Sequence, residues 1–482
     1  MMKRKGVGRR APTALDSNLT LRARDDLTLQ SSNEQASPDA SRKRSVSMKL
    51  AVGVVLFAAL LLRVGWVAHT HAAHLSVDAG DYDRLAHSIA GGHGYLPSAV
   101  GIGPSAYRPP AYPYFLAAIY KATGRGWLVA RYIEAALSTL TVVLIGLLAW
   151  QLWDRRTALI ALALAAVFPP LIMQGTILMS EALLVPLIVG AVLLAWKARG
   201  SAGRARVWWL IGAGITGGLA ALTRGNAFVL LLPLALIVWG QKPRLRWRAL
   251  SGPVLMVAAA LATIAPWTIR NEIVLHSFVP VTTETGVTLA GTYNDFSAHL
   301  KYPALWAPPY LDPAMMPIFA PKLDPHYKGP RLTEPEVDQR TRQAAFAYIR
   351  RHPAYVFTVG LHNALRLLKL SGEPHSILDR DNPAAPLSLD VIGFYAIAIL
   401  AMIGWRTRAR RRAPLALWLT PALFGLVVFV IGYARIRAPI DPFLILLAAL
   451  GVEAIVRIAG VRSHKDPSEL VGGPHQEVDT TG

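Results

Sequence analysis

The chain has 482 residues, of which 53% are hydrophobic and only 16% charged, and its mean hydropathy is positive at +0.37. That balance excludes a soluble globular domain and marks a polytopic membrane protein, because several apolar runs are long enough to cross about 30 Å of hydrocarbon as helices. The formal net charge of +21 does not argue for nucleic acid, since the excess Lys and Arg sits in the tails and in alternate loops, as the positive-inside rule expects; the absence of cysteine removes disulfides, thiolate metal sites and cysteine nucleophiles.

In chain order, residues 1–48 are rich in Arg, Lys, Ser and Asp and read as a disordered basic cytosolic tail, too long and polar for a cleaved signal peptide. A membrane domain over residues 49–460 follows, then a second cytosolic tail, 461–482. The expected fold is an all-α polytopic bundle of about ten transmembrane helices, with twelve as the upper count. The spans are Leu50–Ala68, Trp127–Leu152, Ala158–Phe168, Ser180–Trp196, Val207–Leu222, Ala227–Trp239, Gly252–Trp267, Leu389–Trp405, Leu415–Ile431 and Phe443–Ile458. Four connecting loops are strongly basic: WDRR (153–156), KARGSAGRAR (197–206), QKPRLRWR (241–248) and RTRARRR (406–412). Each falls where this count puts the cytoplasm, so both termini are expected inside a bacterial plasma (inner) membrane.

Two larger outside segments remain, residues 69–126 and 268–388. Neither shows the alternation of a strand-based domain, so both are expected to be helical caps lying on the membrane. In the second, Thr333 followed three residues later by Glu336 forms a capping-box pattern at the start of an amphipathic helix. Arg351–Lys369 carries charge among apolar residues at helical spacing and reads as an interfacial helix, with a re-entrant or additional crossing as the alternative.

Candidate site residues are charges in unexpected places. Asp78 and Asp81, three apart in the first outside segment, share one face of a helix. Such carboxylates can serve as a general base toward a hydroxyl or amine, or can hold a divalent cation together with substrate phosphates; no protein metal site is assigned, and for Asp78 a helix cap is the plainer alternative. Arg108, Arg224, Arg270, Arg435 and Arg437 lie outside or at outer ends of spans, the last four against the topogenic bias. Guanidinium forks there suit a lipid phosphate, with snorkelling or local pairing to Asp441 or Glu181 as the alternative. Glu181, beside Ser180, begins a span and can complement the positive end of its helix. His69, His71 and His74 have ligand chemistry, but juxtamembrane histidines are more often interfacial.

Taken in order, the acid after the first span, YDRLAHSIAGGHGY (82–95), RPPAYPYFLA (108–117), LMSE (178–181), LTRGN (222–226), PWTIRN (266–271), VTTETGVTLAGTYN (281–294), HPAYVF (352–357) and RIRAPIDPFLILLAA (435–449) resemble the dolichyl-phosphate-mannose protein mannosyltransferase-like glycosyltransferases. That superfamily includes bacterial aminoarabinose transferases of lipid A, and the resemblance runs from about Leu50 to Gly460. It implies a C-type glycosyltransferase architecture and an inverting transfer from a polyprenyl-phosphate-linked sugar donor to a glycan, lipid or protein acceptor on the extracytoplasmic side. Asp78 matches the first-loop catalytic acid. The family often has Asp-Glu before two tyrosines, whereas this chain reads Asp78, Ala79, Gly80, Asp81, Tyr82, so Asp81 shares the candidacy. Arg108 and Tyr112 match the donor-shaping segment. Glu181, Arg224, Arg270, Asn271, Arg435 and Arg437 join them as donor or phosphate ligands, with Arg437 or Arg270 favoured for the phosphate. The competing readings are a transporter or flippase for a lipid-linked anion, and a polysaccharide polymerase or ligase.

Overall fold

The computed structural model describes residues 38–71, 75–124, 126–239, 247–324, 326–371 and 388–463. Residues 1–37, 240–246, 372–387 and 464–482, together with His74, lie outside the described residues, and with them most of both expected tails and part of the QKPRLRWR loop. The chain divides into two units, Met1–Val55 and Leu56–Gly482. In the first, residues 38–55 are helical; the second holds the other described elements.

The helices in chain order are α1 (Pro38–His69), α2 (Val77–Ala90), α3 (Ala111–Thr123), α4 (Trp127–Leu152), α5 (Arg155–Val167), α6 (Pro169–Gln174), α7 (Glu181–Gly200), α8 (Gly203–Thr223), α9 (Leu231–Trp239) and α10 (Trp247–Leu275). After these come α11 (Glu284–Ala290), α12 (Asp295–Ala298), α13 (Met316–Leu323), α14 (Glu334–Arg351), α15 (Pro353–Leu367), α16 (Leu389–Arg406), α17 (Leu415–Gly425) and α18 (Asp441–Ser463). Pairing between extended segments is limited, among the described residues, to a bridge between Ile102 and Thr333. The described part of the molecule is otherwise helices and loops.

Among the described residues, seven helices are long and apolar enough to cross a membrane: Val46–His69, Trp127–Leu152, Glu181–Gly200, Gly203–Thr223, Ala249–Leu275, Leu389–Arg406 and Asp441–Ala459. These correspond to seven of the ten expected spans. The other three expected spans fold as shorter pieces. The 13 residues of α5 reach only about 20 Å, because Pro169 and Pro170 end the helix and start α6. The stretch 227–239 is a tight 3-10 turn, Gly225–Leu230, running into α9, and 415–431 is α17 followed by a 3-10 turn, Leu426–Phe429. Large apolar side chains such as Phe57, Leu261, Ile399 and Met402 stay exposed, as a lipid solvent allows and water would not. α15, the helix of the Arg351–Lys369 stretch, has 15 residues and is amphipathic, burying Val359, Asn363 and Arg366 and exposing Phe357 and Leu361.

Helices in lipid gain little from apolar contact alone and pack through small residues. At the crossing of α16 and α18, a Cβ on Gly404 would lie 1.8 Å from the Leu447 carbonyl oxygen, and one on Gly451 would lie 2.1 Å from that of Leu400. Backbone therefore touches backbone there. Polar side chains also hold backbone. Arg63, fully buried in α1, donates to the carbonyls of Ala166 (3.0 Å) and Ala165 (3.2 Å), and to Ser138 Oγ at 2.8 Å. Those carbonyls end α5, where the proline pair withholds the usual helical partners.

Candidate active site

The first outside segment folds into α2 and α3, which pack against each other and against the bundle. Tyr82 and Ala86 of α2, Tyr112 and Leu116 of α3, Ala130 of α4 and Leu178 and Met179 before α7 share one buried cluster. Ser76 caps α2, its side chain accepting from the Ala79 N–H at 3.3 Å. Asp78 is therefore not the cap, and its carboxylate is free for another partner.

That carboxylate is held between two arginines from distant parts of the chain. Arg108 Nη2 donates to Asp78 Oδ1 at 2.7 Å and to Asp81 Oδ2 at 3.1 Å, while Arg435 Nη2 donates to Asp78 Oδ2. The Arg108 guanidinium thus takes the place a divalent cation would need to bridge Asp78 and Asp81. Its Nη1 reaches Glu284 Oε1 at 3.3 Å, and its plane lies 5.1 Å from the ring centre of Tyr82. Arg435 also reaches Met179 Sδ at 3.4 Å, two residues before Glu181, and Glu181 is 2% exposed and accepts from Arg224 Nη1 at 2.5 Å. Burial pushes the Asp78 pKa upward, but the charges and hydrogen bonds of Arg108 and Arg435 outweigh it and hold the carboxyl well below the usual carboxylate range.

Of the residues expected from the sequence, Asp78, Asp81, Arg108 and Arg435 meet directly, and Glu181 with Arg224 is joined to them through the Met179–Glu181 stretch. Tyr112 stands one layer behind, its ring edge-on to Tyr82 at 4.8 Å and its hydroxyl donating to Glu134. Arg270, Asn271 and Arg437 are not bonded into this network. Arg270 donates to the Ser105 carbonyl at 2.8 Å and lies 4.8 Å from the Trp267 ring centre, and Asn271 donates to the Val279 carbonyl at 3.0 Å. Arg437 is spent on Asp441 (2.9 Å) and the Leu367 carbonyl (2.9 Å). These three fix loops.

Sequence reasoning missed Glu284, Glu134 and Glu334. Glu284 stands in VTTETG, a string used only for its resemblance, and its role emerges only when the second outside segment folds over Arg108. Glu134 accepts from Tyr112 and from the Leu178 N–H at 3.0 Å, bracing a residue whose φ of 59° is left-handed. Glu334, fully buried at the start of α14, accepts from Ser105 Oγ (2.8 Å), the Ala106 N–H (2.7 Å) and Thr283 Oγ1 (2.6 Å). It clamps together the two strands of chain that carry Arg108 and Glu284. The expected capping box is present beside it, with the Thr333 N–H donating to Glu336 at 2.7 Å. His69 and His71 form no metal cluster, and among the described residues no group of three or more potential metal ligands is gathered.

Residues 107–269, a stretch that begins one residue before Arg108 and includes Tyr112, Glu181 and Arg224, match the family of dolichyl-phosphate-mannose-protein mannosyltransferases. That match covers about a third of the chain. No curated protein matches it in sequence. Among solved structures it is similar to the archaeal oligosaccharyltransferase AglB from Archaeoglobus fulgidus in complex with an inhibitory peptide and a dolichol-phosphate. The identity is 15%, 90% of this chain and 53% of that one are covered, and the TM-score is 0.53. The apo form of the Archaeoglobus fulgidus oligosaccharyltransferase gives 13%, 89%, 52% and 0.52. ArnT from Cupriavidus metallidurans bound to undecaprenyl phosphate is 17% identical over 87% of this chain and 79% of that one, with a TM-score of 0.35. The chain thus spans about half the length of the oligosaccharyltransferases it resembles, and the likeness carries a C-type glycosyltransferase-like fold.

Proposed function

We propose that this protein transfers a sugar from a polyprenyl-phosphate donor to an acceptor on the extracytoplasmic face of a bacterial plasma membrane, with inversion and with Asp78 as the base. The acceptor oxygen or nitrogen attacks the anomeric carbon, the bond from that carbon to the phosphate oxygen breaks, its electron pair stays on the phosphate, and the acceptor proton passes to Asp78. Arg435 and Arg108 receive the phosphate, with Arg224 beside them; Asp81 and Glu181 keep those guanidiniums in place, and Tyr112 supports Tyr82 beneath Arg108. Arg270 and Arg437, favoured from the sequence for the phosphate, and Asn271 beside them are reassigned to holding the loops, because their bonds go to backbone carbonyls and to Asp441 and none goes to the Asp78 network.

The observation that carries this reading is the double arginine pairing of Asp78. A carboxylate so stabilised is a weak base, since base strength follows pKa. A donor phosphate offers the same two guanidiniums a better bidentate partner. Binding the donor would therefore release Asp78 and raise its basicity only when there is something to react.

The test is transfer of radiolabelled sugar from a panel of polyprenyl-phosphate donors, in membranes holding equal amounts of wild type or Asp78→Asn. The expected result is a fall in transfer of about 10²–10⁴-fold with donor binding retained. Undiminished transfer by the variant would move the base to Asp81 or Glu181. Donor translocation without transfer in the wild type would overturn the enzyme reading in favour of a flippase.

A further inference from the structure

At the end of the bundle far from Asp78, we infer that the protein carries a binding site for the phosphate groups of anionic phospholipids, built from two basic turns and a tryptophan floor. This inference does not depend on the transfer reaction. α4 fixes the placement. Its first turns pack on the α2–α3 cluster, and its 26 residues carry the chain about 39 Å to Trp153.

There the Trp153 indole N–H donates to the Ala409 carbonyl at 2.8 Å. That bond ties the α4–α5 junction, with Arg155 and Arg156, to the 3-10 turn Arg408–Arg412 after α16. The RTRARRR stretch contributes five arginines, so the two joined turns carry seven against a single acid, Asp154. Asp154 is occupied: it caps α5 by accepting from the Thr157 N–H at 2.9 Å. The neighbouring Glu453 of α18 is occupied as well, by Thr157 Oγ1 and Arg457. None of the seven arginines forms an ion pair among the described residues, and the Nε of Arg410 is buried without a hydrogen-bond partner.

Beneath the arginines lie aromatic faces. Arg410 stacks 3.8 Å from the Trp405 ring centre and Arg155 lies 5.7 Å from that of Trp150, while Trp405 meets Trp418 edge-on at 6.0 Å. Tryptophan concentrates at the headgroup level of a bilayer. Guanidiniums fixed at that depth, short of carboxylates, match the phosphates of anionic lipids rather than those of a soluble metabolite. The topogenic role of these charges needs only their number, and it accounts neither for the hydrogen bond that gathers the two turns nor for the buried, unpartnered Nε of the stacked Arg410.

The experiment uses purified full-length protein in detergent, exchanged against phosphatidylglycerol or phosphatidylcholine and examined by native mass spectrometry. Retention of phosphatidylglycerol but not phosphatidylcholine is expected. It should fall by more than about tenfold in the triple variant Arg408→Gln, Arg411→Gln, Arg412→Gln, because each basic residue near an anionic surface contributes about fivefold. Trp153→Phe keeps every charge, and with it the topogenic signal, but removes the bond that gathers the turns; a several-fold loss of retention is expected there too. Equal retention of both lipids, or retention unchanged in both variants, would overturn the site. Release of the lipid by millimolar inorganic phosphate would overturn the lipid assignment and leave a site for free phosphate.

Discussion

Asp78 cannot change its charge without disturbing two arginines, which gives it a measurable signature. Its carboxyl titrates below the value of about 3.9 of an unfolded chain, so its stabilising contribution is complete above that pH and disappears as the pH falls through the folded value. Thermal unfolding in detergent should therefore show Asp78→Asn less stable than wild type at pH 7, with the gap holding down to about pH 4 and narrowing only below it; a pH-independent gap would refute the pairing. Arg435→Gln should weaken donor binding by about 10–100-fold, the worth of a charged hydrogen bond, whereas Arg437→Gln should mainly lower stability. The sequence made Arg435, Arg437 and Arg270 visible, because each stands against the expected charge bias of the loops. What it could not reveal was the partner. Arg435 meets a carboxylate and Arg270 a backbone carbonyl, and a carbonyl leaves no mark in the residue alphabet.

Helices show the same division between what composition encodes and what chain geometry decides. The seven long spans follow from apolar length, but α5, α9 and α17 share the apolar composition and stay short: α5 ends at Pro169–Pro170, α9 begins only after the 3-10 turn Gly225–Leu230, and α17 gives way to the 3-10 turn Leu426–Phe429. The hydropathy of a window does not register such interruptions. Nor does it register close approach: Gly404→Val should lower the unfolding midpoint, at a cost of at least about 1–3 kcal/mol, since no side chain fits between α16 and the Leu447 carbonyl. In the outer layer, Glu334→Ala should strip three buried donors of their acceptor and destabilise the second outside segment by about 2–3 kcal/mol. Limited proteolysis would then cut faster within residues 283–351 while the melting of the bundle is unchanged. Faster cutting at many sites throughout the bundle would contradict a local clamp.

Across the described residues, the acids paired with Arg108, Arg224 and Arg435 lie at one end of α4 and the arginines of the two basic turns, which form no ion pair among the described residues, at the other, so the bundle is chemically polar along α4. The chain has no cysteine, which makes sidedness directly testable: an impermeant maleimide should label His93→Cys on intact cells and Ser201→Cys only after lysis. Reversed labelling would turn the protein over. That end-to-end polarity was legible in the basic loops; the clamp at Arg63 was not, although an arginine inside the first apolar run was there to be seen. Its acceptors are synthesised about a hundred residues later, or roughly 5–20 s of translation. During that interval α1 must sit in the translocation machinery or the bilayer with a guanidinium that lacks its final partners. Arg63→Leu should consequently make an isolated α1 insert more readily, yet leave less mature protein able to assemble, so that a pulse-chase would show quicker membrane entry followed by faster degradation.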